Sequence, residues 1–425
     1  MADRVTVIGW DGSPLTDTAR AALGAATLVA GAAHHLVLPE VPPEAERIRL
    51  GSIALAARRI AAHRGTAVVL ADGDPGFFGV VRTLRAPEYG LEVEVVPAVS
   101  SVAAAFARAG MPWDDAQVVV AHERTLRRAV NVCRAHPKVA VLTSPGAGPA
   151  ELALLLTGVH RTFVICEALG TPRERVTVLT SDKVADHIWR DPNLVIVSGG
   201  PGVGTQHGTV AGGGWLAGHP PGYPPAWRGW ARQPAEYAAA VRAGAAEVDL
   251  DSRRATPVRP GEGEAVQLRA AQLARLGPRL GDLLWDVGTG TGALAVEAAC
   301  FGAAVIAVDR SPDACAHTAA AARTFGVQVQ VVHGIAPHAL QDLPEPDLVR
   351  VGGGGLRTLT ACVDRRPERL VTHATTRDEA EAATRVLTGA GYDVECTLLQ
   401  SVELDTRQWA ERDRSVVFLV AAHRP

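Results

Sequence analysis

The chain has 425 residues, a length that predicts two or three domains with buried cores and excludes a single small module. Hydrophobic residues make up 47% and charged residues 20% of the sequence, which is a globular composition and excludes a disordered or fibrous chain. The formal net charge of -3 argues against a general nucleic-acid-binding protein, which usually carries a marked basic excess.

Short β-branched runs alternate with alanine-rich helical patterns before residue 200, which predicts an α/β domain over residues 1–199. Strands are predicted at 5–8, 67–70, 91–96, 117–120, 139–142, 162–166, 176–179 and 194–197. Helices are predicted at 15–23, 52–62, 101–109, 125–134 and 149–156.

Residues 200–262 are predicted to form a linker, because Gly and Pro dominate its first half and cannot sustain a helix or a central strand. The aromatic residues Trp215, Tyr223, Trp227 and Trp230 indicate that part of this linker packs on a domain. A second α/β domain is predicted at 263–425, with a helix at 265–276 and strands at 283–287, 304–308, 329–332, 348–351, 369–373, 393–399 and 416–421.

The strongest chemical motif is LLWDVGTGTGALAVEAA at residues 283–299, where an apolar strand leads through a glycine loop into a helix. Glycines permit a tight turn and a close approach of a ligand to the backbone, and the helix N-terminus offers unpaired N–H groups. The motif therefore predicts a nucleotide-like ligand, with candidate cofactor-binding residues at Asp286, Gly288, Thr289, Gly290 and Gly292.

The glycine spacing is G-x-G-x-G, whereas the dinucleotide fingerprint is G-x-G-x-x-G. The next strand ends at Asp309, where an acid can accept hydrogen bonds from both ribose hydroxyls of a bound nucleoside. This form resembles the Rossmann-like methyltransferases that use S-adenosylmethionine, which implies that cofactor. A nicotinamide cofactor and a glycine turn without a ligand are the alternatives.

The six cysteines are scattered, with no C-x-x-C pair and no zinc-like spacing, so we expect reduced thiols and no metal site. The first residues lack the long apolar core of a signal peptide, and no stretch reaches 18 uninterrupted apolar residues. We therefore expect a cytoplasmic protein without a membrane or nucleic-acid partner.

Residues 333–355 resemble the part of the precorrin carbon-15 methyltransferases in which a G-x-A-P-x-x-L turn precedes a strand and a glycine cluster. The turn is matched by Gly334, Ala336, Pro337 and Leu340, and the cluster by Gly352, Gly353, Gly354 and Gly355. The resemblance implies that Gly334, Ala336 and Pro337 contribute to the cofactor site. It implies that the cluster borders the substrate, with Arg350 and Arg357 as partners for ring carboxylates.

The first half resembles the tetrapyrrole methylases, in particular their carbon-5 methyltransferases. LADGDPGFFG at residues 70–79 is similar to their S-G-D-P loop, with Asp72 in the serine place, and residues 93–116 are similar to their P-G-x-S-S turn. Residues 139–152 and 164–176 resemble later segments of the family. The resemblance implies cofactor contacts at Gly9, Gly73, Asp74, Pro75, Ser100 and Ser101.

Together the two resemblances imply a bifunctional precorrin methyltransferase of cobalamin biosynthesis. The implied fold is an N-terminal tetrapyrrole methylase of two α/β subdomains joined to a C-terminal Rossmann-like methyltransferase domain, in a homo-oligomer. The implied reaction methylates carbons 5 and 15 and decarboxylates a ring acetate. Acid–base candidates by residue type, each with a structural role as the alternative, are Asp74, His122, Glu167, Glu297, His333, His338 and His373.

Three segments depart from the family pattern. Trp10 and Asp11 stand in the first loop, where the family has G-x-G-P-G, and His122, Glu123 and Arg124 stand for an H-G-R-like element. A D-G-x-x-T-K-R-E-like segment is absent, and residues 247–276 take its place. Two other hypotheses therefore stand beside the bifunctional enzyme: a chain active only in its N-terminal half, and a ligand-binding scaffold without catalysis.

Overall fold

The computed structural model describes residues 4–77, 79–156, 158–199, 230–233, 236–237 and 265–425. Within these residues the chain forms three β-sheets covered by helices, two before residue 200 and one after residue 265. The predicted α/β architecture, with two N-terminal subdomains and a Rossmann-like C-terminal domain, is confirmed. The predicted linker at 200–262 lies outside the described residues, apart from 230–233 and 236–237.

The first sheet contains five parallel strands in the order β3-β2-β4-β1-β5. Its strands are β1 (Arg4–Trp10), β2 (Leu28–Gly31), β3 (Glu46–Arg49), β4 (Ala67–Asp72) and β5 (Glu92–Val96). Its helices are α1 (Asp17–Gly24), α2 (Ile53–Ala62), α3 (Val80–Leu84) and α4 (Ser101–Ala109). Val7 and Ile8 belong to different buried clusters, as expected for a parallel sheet covered on both faces.

The second sheet has the order β6-β7-β10-β8-β9, in which only β6 and β7 are parallel neighbours. Its strands are β6 (Gln117–Val120), β7 (Lys138–Leu142), β8 (Thr162–Glu167), β9 (Arg175–Thr180) and β10 (Asn193–Ser198). Its helices are α5 (Leu126–Ala135), α6 (Pro149–Leu155) and α7 (Ser181–Val184). Phe106 of α4 shares a buried cluster with Ile196 of β10, so α4 joins the two subdomains.

The third sheet has seven strands in the order β13-β12-β11-β14-β15-β17-β16. The strands are β11 (Leu283–Val287), β12 (Ala304–Asp309), β13 (Val329–His333), β14 (Leu348–Val351), β15 (Arg369–Ala374), β16 (Asp393–Asp405) and β17 (Ala410–His423). The helices are α8 (Val266–Leu276), α9 (Ala293–Cys300), α10 (Pro312–Thr324), α11 (Gly355–Asp364) and α12 (Arg377–Gly389). The strand order reverses at β11, and ligands of open α/β sheets bind beside the carboxyl ends of strands at such a point.

Two strands of the first sheet, β2 and β3, lie outside the set predicted from sequence. Each has four residues, and β3 reads ERIR, so neither carries the β-branched run on which a strand prediction rests. Strands β16 and β17 extend beyond the predicted ranges, because their hydrogen-bonded pairing continues through exposed polar residues.

The two halves touch through α5 and through Arg161, which directly precedes β8. Nη2 of Arg127 lies 2.9 Å from Oδ1 of Asp347, and Nδ2 of Asn131 donates to the carbonyl of Gly281 at 3.0 Å. Arg161 donates to the side-chain oxygen of Gln328, in a buried contact. None of the helices within the described ranges has the length and apolar character needed to cross a bilayer.

Candidate functional site

The carboxyl ends of the central strands bring the predicted motifs of the C-terminal half together. The amide of Gly288, after β11, donates to the carbonyl of Val308 at 2.8 Å, and the amide of Gly334, after β13, donates to the carbonyl of Asp309 at 2.9 Å. The amide of Gly352, after β14, donates to the carbonyl of Val287 at 2.7 Å. Loops far apart in sequence therefore form one continuous edge.

Gly290 is the point at which the glycine loop is open to a ligand. Its φ of +59° lies in the left-handed region, and a Cβ placed there would meet no heavy atom within 4 Å. Its amide donates to Oδ2 of Asp309 at 3.0 Å, and Oδ1 of the same carboxylate accepts from the Ser311 amide at 2.9 Å. Each oxygen retains capacity to accept from a ligand hydroxyl, because a carboxylate offers about four lone-pair sites.

Asp286 lies beneath this loop and is fully buried. Its Oδ2 accepts from the hydroxyl of Thr289 at 2.7 Å, and its Oδ1 accepts from Nη1 of Arg350 at 3.1 Å. Arg350, which is 4% exposed, also donates to the carbonyl of Gly288 at 2.7 Å. A Cβ on Gly352 would overlap the Arg350 guanidinium, so this glycine makes room for the arginine.

These contacts require a correction to the interpretation of Arg350 and Asp286. The expectation was that Arg350 binds a ring carboxylate of the substrate, but its guanidinium is buried and already bound within the loop. Asp286 likewise holds Thr289 and Arg350 from below. Both side chains organise the loop, while the exposed Arg357 at the start of α11 stays a candidate for substrate contact. Gly353, Gly354 and Gly355 are exposed beside it.

The acid–base candidates of the C-terminal half differ in burial and in their hydrogen-bond partners. Glu297 is 2% exposed and accepts hydrogen bonds from the amides of Ala231 and Arg232, the hydroxyl of Tyr237 and Nε of Arg269. It therefore anchors the segment that precedes the domain. His333 and His338 are exposed, and Nε2 of His333 lies 3.1 Å from the carbonyl of Arg310.

The N-terminal half contains a cavity of about 680 Å³ between its two sheets. The first subdomain contributes Gly12, Gly73 and Ser101 to its wall, and the second contributes Thr143, Glu167 and Leu169. The motifs predicted from sequence thus meet across a cleft large enough for a small-molecule ligand.

The loop that follows β1 is held in place by contacts of its backbone and of the Asp11 side chain. A Cβ on Gly9 would overlap the carbonyl of Gly73 and crowd Pro75, and the amide of Gly73 donates to the carbonyl of Trp10 at 2.7 Å. Oδ1 of Asp11 accepts from the Ser13 amide at 3.0 Å and Oδ2 from the Val99 amide at 3.2 Å. Burial raises the pKa of Asp11, but these hydrogen bonds lower it overall. Asp11 therefore ties the first loop to the turn that ends at Ser100.

The acid–base candidates of the N-terminal half differ in position. Glu167 is buried at the cavity wall, and its Oε1 accepts from the Arg190 amide at 2.9 Å. Asp74 accepts from the Gly76 amide at 2.8 Å and thereby shapes the loop next to Gly73. His122 is exposed just before α5 and is not among the residues that line the cavity, so a catalytic role for it stays a prediction without support from the cavity. Ser100 caps α4, its hydroxyl accepting from the Ala103 amide at 3.1 Å.

Sequence reasoning missed His34 and His35. Nε2 of His34 lies 2.8 Å and Nε2 of His35 lies 3.0 Å from Oδ1 of Asp72. His34 and Asp72 line the cavity. The adjacent histidines follow β2, so a prediction of that strand would have placed them at the carboxyl edge of the first sheet.

Two family models match the chain. The model described as tetrapyrrole (corrin/porphyrin) methylases matches residues 10–185, and the model described as precorrin methyltransferase domain matches residues 263–404.

Curated relatives align with most of the chain or with a part of it. A precorrin-6Y C(5,15)-methyltransferase (decarboxylating) from Sinorhizobium sp is 31% identical over 388 residues, 87% of this chain and 84% of the relative. A cobalt-precorrin-7 C(5)-methyltransferase from Salmonella typhimurium is 36% identical over 191 residues, 43% of this chain and 91% of the relative. A probable cobalt-precorrin-6B C(15)-methyltransferase (decarboxylating) from Pyrobaculum calidifontis is 39% identical over 140 residues, 31% of this chain and 72% of the relative.

Proposed function

This chain belongs to the family of precorrin-6Y C(5,15)-methyltransferases (decarboxylating), and from that membership we propose that it methylates a precorrin at carbons 5 and 15 and decarboxylates a ring acetate. The family predicted from the sequence motifs is confirmed, and the chain is a methyltransferase. The observation that carries the proposal is the meeting of matched motifs at two separate sites, one in the cleft of the N-terminal half and one at the carboxyl edge of the third sheet.

We assign carbon 5 to the N-terminal half and carbon 15 with decarboxylation to the C-terminal half. The Salmonella typhimurium relative, which aligns with 43% of the chain, is a carbon-5 enzyme. The Pyrobaculum calidifontis relative, which aligns with 31% of the chain, is a carbon-15 enzyme. The corresponding family models match residues 10–185 and 263–404. This division also supports activity in the C-terminal half, in spite of the unusual residues 247–276.

S-adenosylmethionine is the methyl donor that this proposal requires. The open backbone at Gly290 and the carboxylate of Asp309 beside it fit a nucleoside with two ribose hydroxyls. Gly288, Thr289 and Gly292 complete that loop, and the further cofactor contacts that we propose are Gly334, Ala336 and Pro337, which follow β13. In the N-terminal half, Gly9, Gly73, Pro75, Ser100 and Ser101 would hold a second molecule. When bound, S-adenosylmethionine supplies an electrophilic methyl on a sulfonium.

The residues of the chain orient the reactants. Holding a ring carbon in line with the methyl and its leaving group lowers the barrier to methyl transfer through proximity and orientation. No covalent protein nucleophile is needed. Arg173, Arg175 and Arg190 line the N-terminal cavity, are exposed, and form no ion pair among the described residues. Their guanidinium groups suit the carboxylates of a precorrin.

A cytoplasmic homo-oligomer is the physical form that we propose for the enzyme. The six cysteines are all free thiols, which supports a reducing compartment. Light scattering of the purified chain during size-exclusion chromatography would measure its mass in solution, and a monomer would refute the oligomer.

The decisive experiment incubates the full chain with S-adenosylmethionine and precorrin-6B and follows product mass. Two added methyl groups with loss of carbon dioxide are expected. No turnover of precorrin-6B, together with methylation of an already decarboxylated precorrin, would leave only the carbon-5 activity. Cofactor binding without any methyl transfer would refute the enzyme and favour a scaffold.

A further inference from the structure

His34, His35 and Asp72 form a hydrogen-bonded cluster at the wall of the N-terminal cavity. Asp72 ends β4 and the two histidines follow β2, so parallel pairing brings them to the same edge of the sheet. The side chain of His35 is 1% exposed, whereas those of His34 and Asp72 are 38% and 53% exposed. Only His34 and Asp72 can therefore meet a ligand.

The hydrogen bonds determine which ring nitrogens carry protons. An ionised carboxylate only accepts, so Nε2 of both histidines donates to Oδ1 of Asp72. Nδ1 of His35 accepts from the Ala32 amide at 3.2 Å, so both nitrogens of this ring are in use. Nδ1 of His34 has no hydrogen-bond partner in the described part of the chain, and it is the nitrogen that can take up a proton.

The same geometry disfavours a metal ion, although the three ligand atoms lie within 4.8 Å of one another. A histidine that binds a metal through Nε2 normally carries its proton on Nδ1 and donates it to an acceptor. Nδ1 of His35 instead faces the amide of Ala32, which is itself a donor. The surroundings of His35 therefore do not suit a metal ion bound through its Nε2.

The other ionisable groups of the cavity that could accept a proton have contacts of their own. Both oxygens of Asp11 accept from backbone amides, and Oε1 of Glu167 accepts from the Arg190 amide. Oδ1 of Asp191 accepts from Nδ2 of Asn193. Burial raises the pKa of the Cys166 thiol to about 11. The His187 ring packs against Trp189 in the second subdomain.

We propose that His34, positioned by Asp72, is the proton acceptor for methyl transfer in the N-terminal half; this inference rests on the proposed function. Replacement of a hydrogen on a ring carbon by methyl releases one proton. A bond forms between the methyl carbon and the ring carbon, and the carbon–sulfur bond breaks with its electron pair leaving on sulfur. The C–H electron pair then returns to the conjugated ring, and the proton passes to Nδ1 of His34.

The groups around the His34 ring set the pH at which it can act. Trp10 packs at 6.0 Å between ring centroids and does not titrate, while His35 and Asp72 complete its surroundings. The hydrogen bond to Asp72 raises the pKa of His34, burial opposes this, and the negative charge of Asp72 adds to the rise. Since only neutral His34 accepts a proton, carbon-5 methylation should increase with pH through a pKa above 6.5.

The test uses full-length His34→Ala with saturating S-adenosylmethionine and a precorrin that lacks only the carbon-5 methyl. We expect kcat for carbon-5 methylation to fall by about 100-fold or more, with partial rescue by added imidazole, because a general base contributes about that factor. Cofactor affinity and carbon-15 methylation should be unchanged. His63→Ala is the matched control, because His63 lies before β4 at the opposite edge of the sheet. A kcat for His34→Ala within twofold of wild type would overturn the inference.

A second measurement does not depend on turnover. Nitrogen-15 spectra of the histidine rings should give His34 a neutral form protonated on Nε2 and a pKa that falls in Asp72→Asn. The ascending limb of the pH–rate profile should move to lower pH in the same variant. A neutral form protonated on Nδ1, or a pKa unaffected by Asp72→Asn, would overturn the inference. Failure of the wild-type chain to methylate carbon 5 would instead refute the proposed function.

Discussion

Nη1 of Arg350 lies 3.1 Å from Oδ1 of Asp286, and the pair is buried beneath the glycine loop. The two residues face each other across the register of β14 and β11, at the strand ends from which the loops of the site emerge. Because the same guanidinium also binds the carbonyl of Gly288, one side chain couples the shape of the loop to the pairing of the central strands.

Arg350→Met should destabilise the C-terminal half by about 3–5 kcal/mol, because it leaves the buried carboxylate of Asp286 without its cation. Urea unfolding, followed by hydrogen exchange of amides in β11 and β14, measures the loss in the full chain. The control is Arg357→Met, an exposed change expected to alter stability by less than about 0.5 kcal/mol. Equal stability of both variants would refute a structural role for Arg350.

Asp309→Ala should weaken S-adenosylmethionine binding at the C-terminal site by about tenfold or more, because charge-assisted hydrogen bonds contribute about 1.5–3 kcal/mol. Calorimetry on the full chain should show one weakened site and one unchanged site. Asp313→Ala, on the exposed first turn of α10, serves as the control. Two unchanged sites would remove Asp309 from the binding site.

Arg173→Gln, Arg175→Gln and Arg190→Gln should each raise KM for the precorrin in carbon-5 methylation, with a smaller effect on kcat. The reason is that these guanidinium groups would bind substrate carboxylates in both the ground state and the transition state. Steady-state kinetics measures the effect, and Arg58→Gln on the exposed face of α2 is the control. An unchanged KM in all three variants would place the substrate elsewhere.

His136 should make the stability of the N-terminal half depend on pH. Burial lowers the pKa of His136 to about 4, below its ordinary value of 6.5. The unfolded chain therefore binds a proton that the folded chain does not, and stability should be lost as pH falls from 6.5 toward 4, by up to about 3 kcal/mol.

His136→Leu should flatten this pH dependence, which urea unfolding at several pH values would measure. His338→Leu, at an exposed histidine, should leave the slope unchanged. A slope in His136→Leu equal to that of the wild-type chain would contradict the assignment.

Much of the fold could be predicted because its signals are local. The strand, glycines and helix around Gly290 are contiguous, and Ser100 caps a helix within the same short segment. The short strand β2 lacked such a signal, and the histidines that follow it were missed with it. His122 shows the limit of residue type as a signal, since a histidine suits catalysis but this one, before α5, is not among the residues that line the cavity.

The sequence by itself determined the α/β architecture and the glycine loops, because apolar periodicity and spacing act between neighbouring residues. The resemblance of its motifs to known methyltransferases indicated the family. Tertiary structure alone decided which charged side chains bind other groups of the protein and which are open to a ligand. Arg350 meets Asp286 across 64 positions, and His34 meets Asp72 across 38, in each case because parallel pairing brings strand ends together. Burial then separates Arg350, which holds the loop, from Arg357, which is exposed.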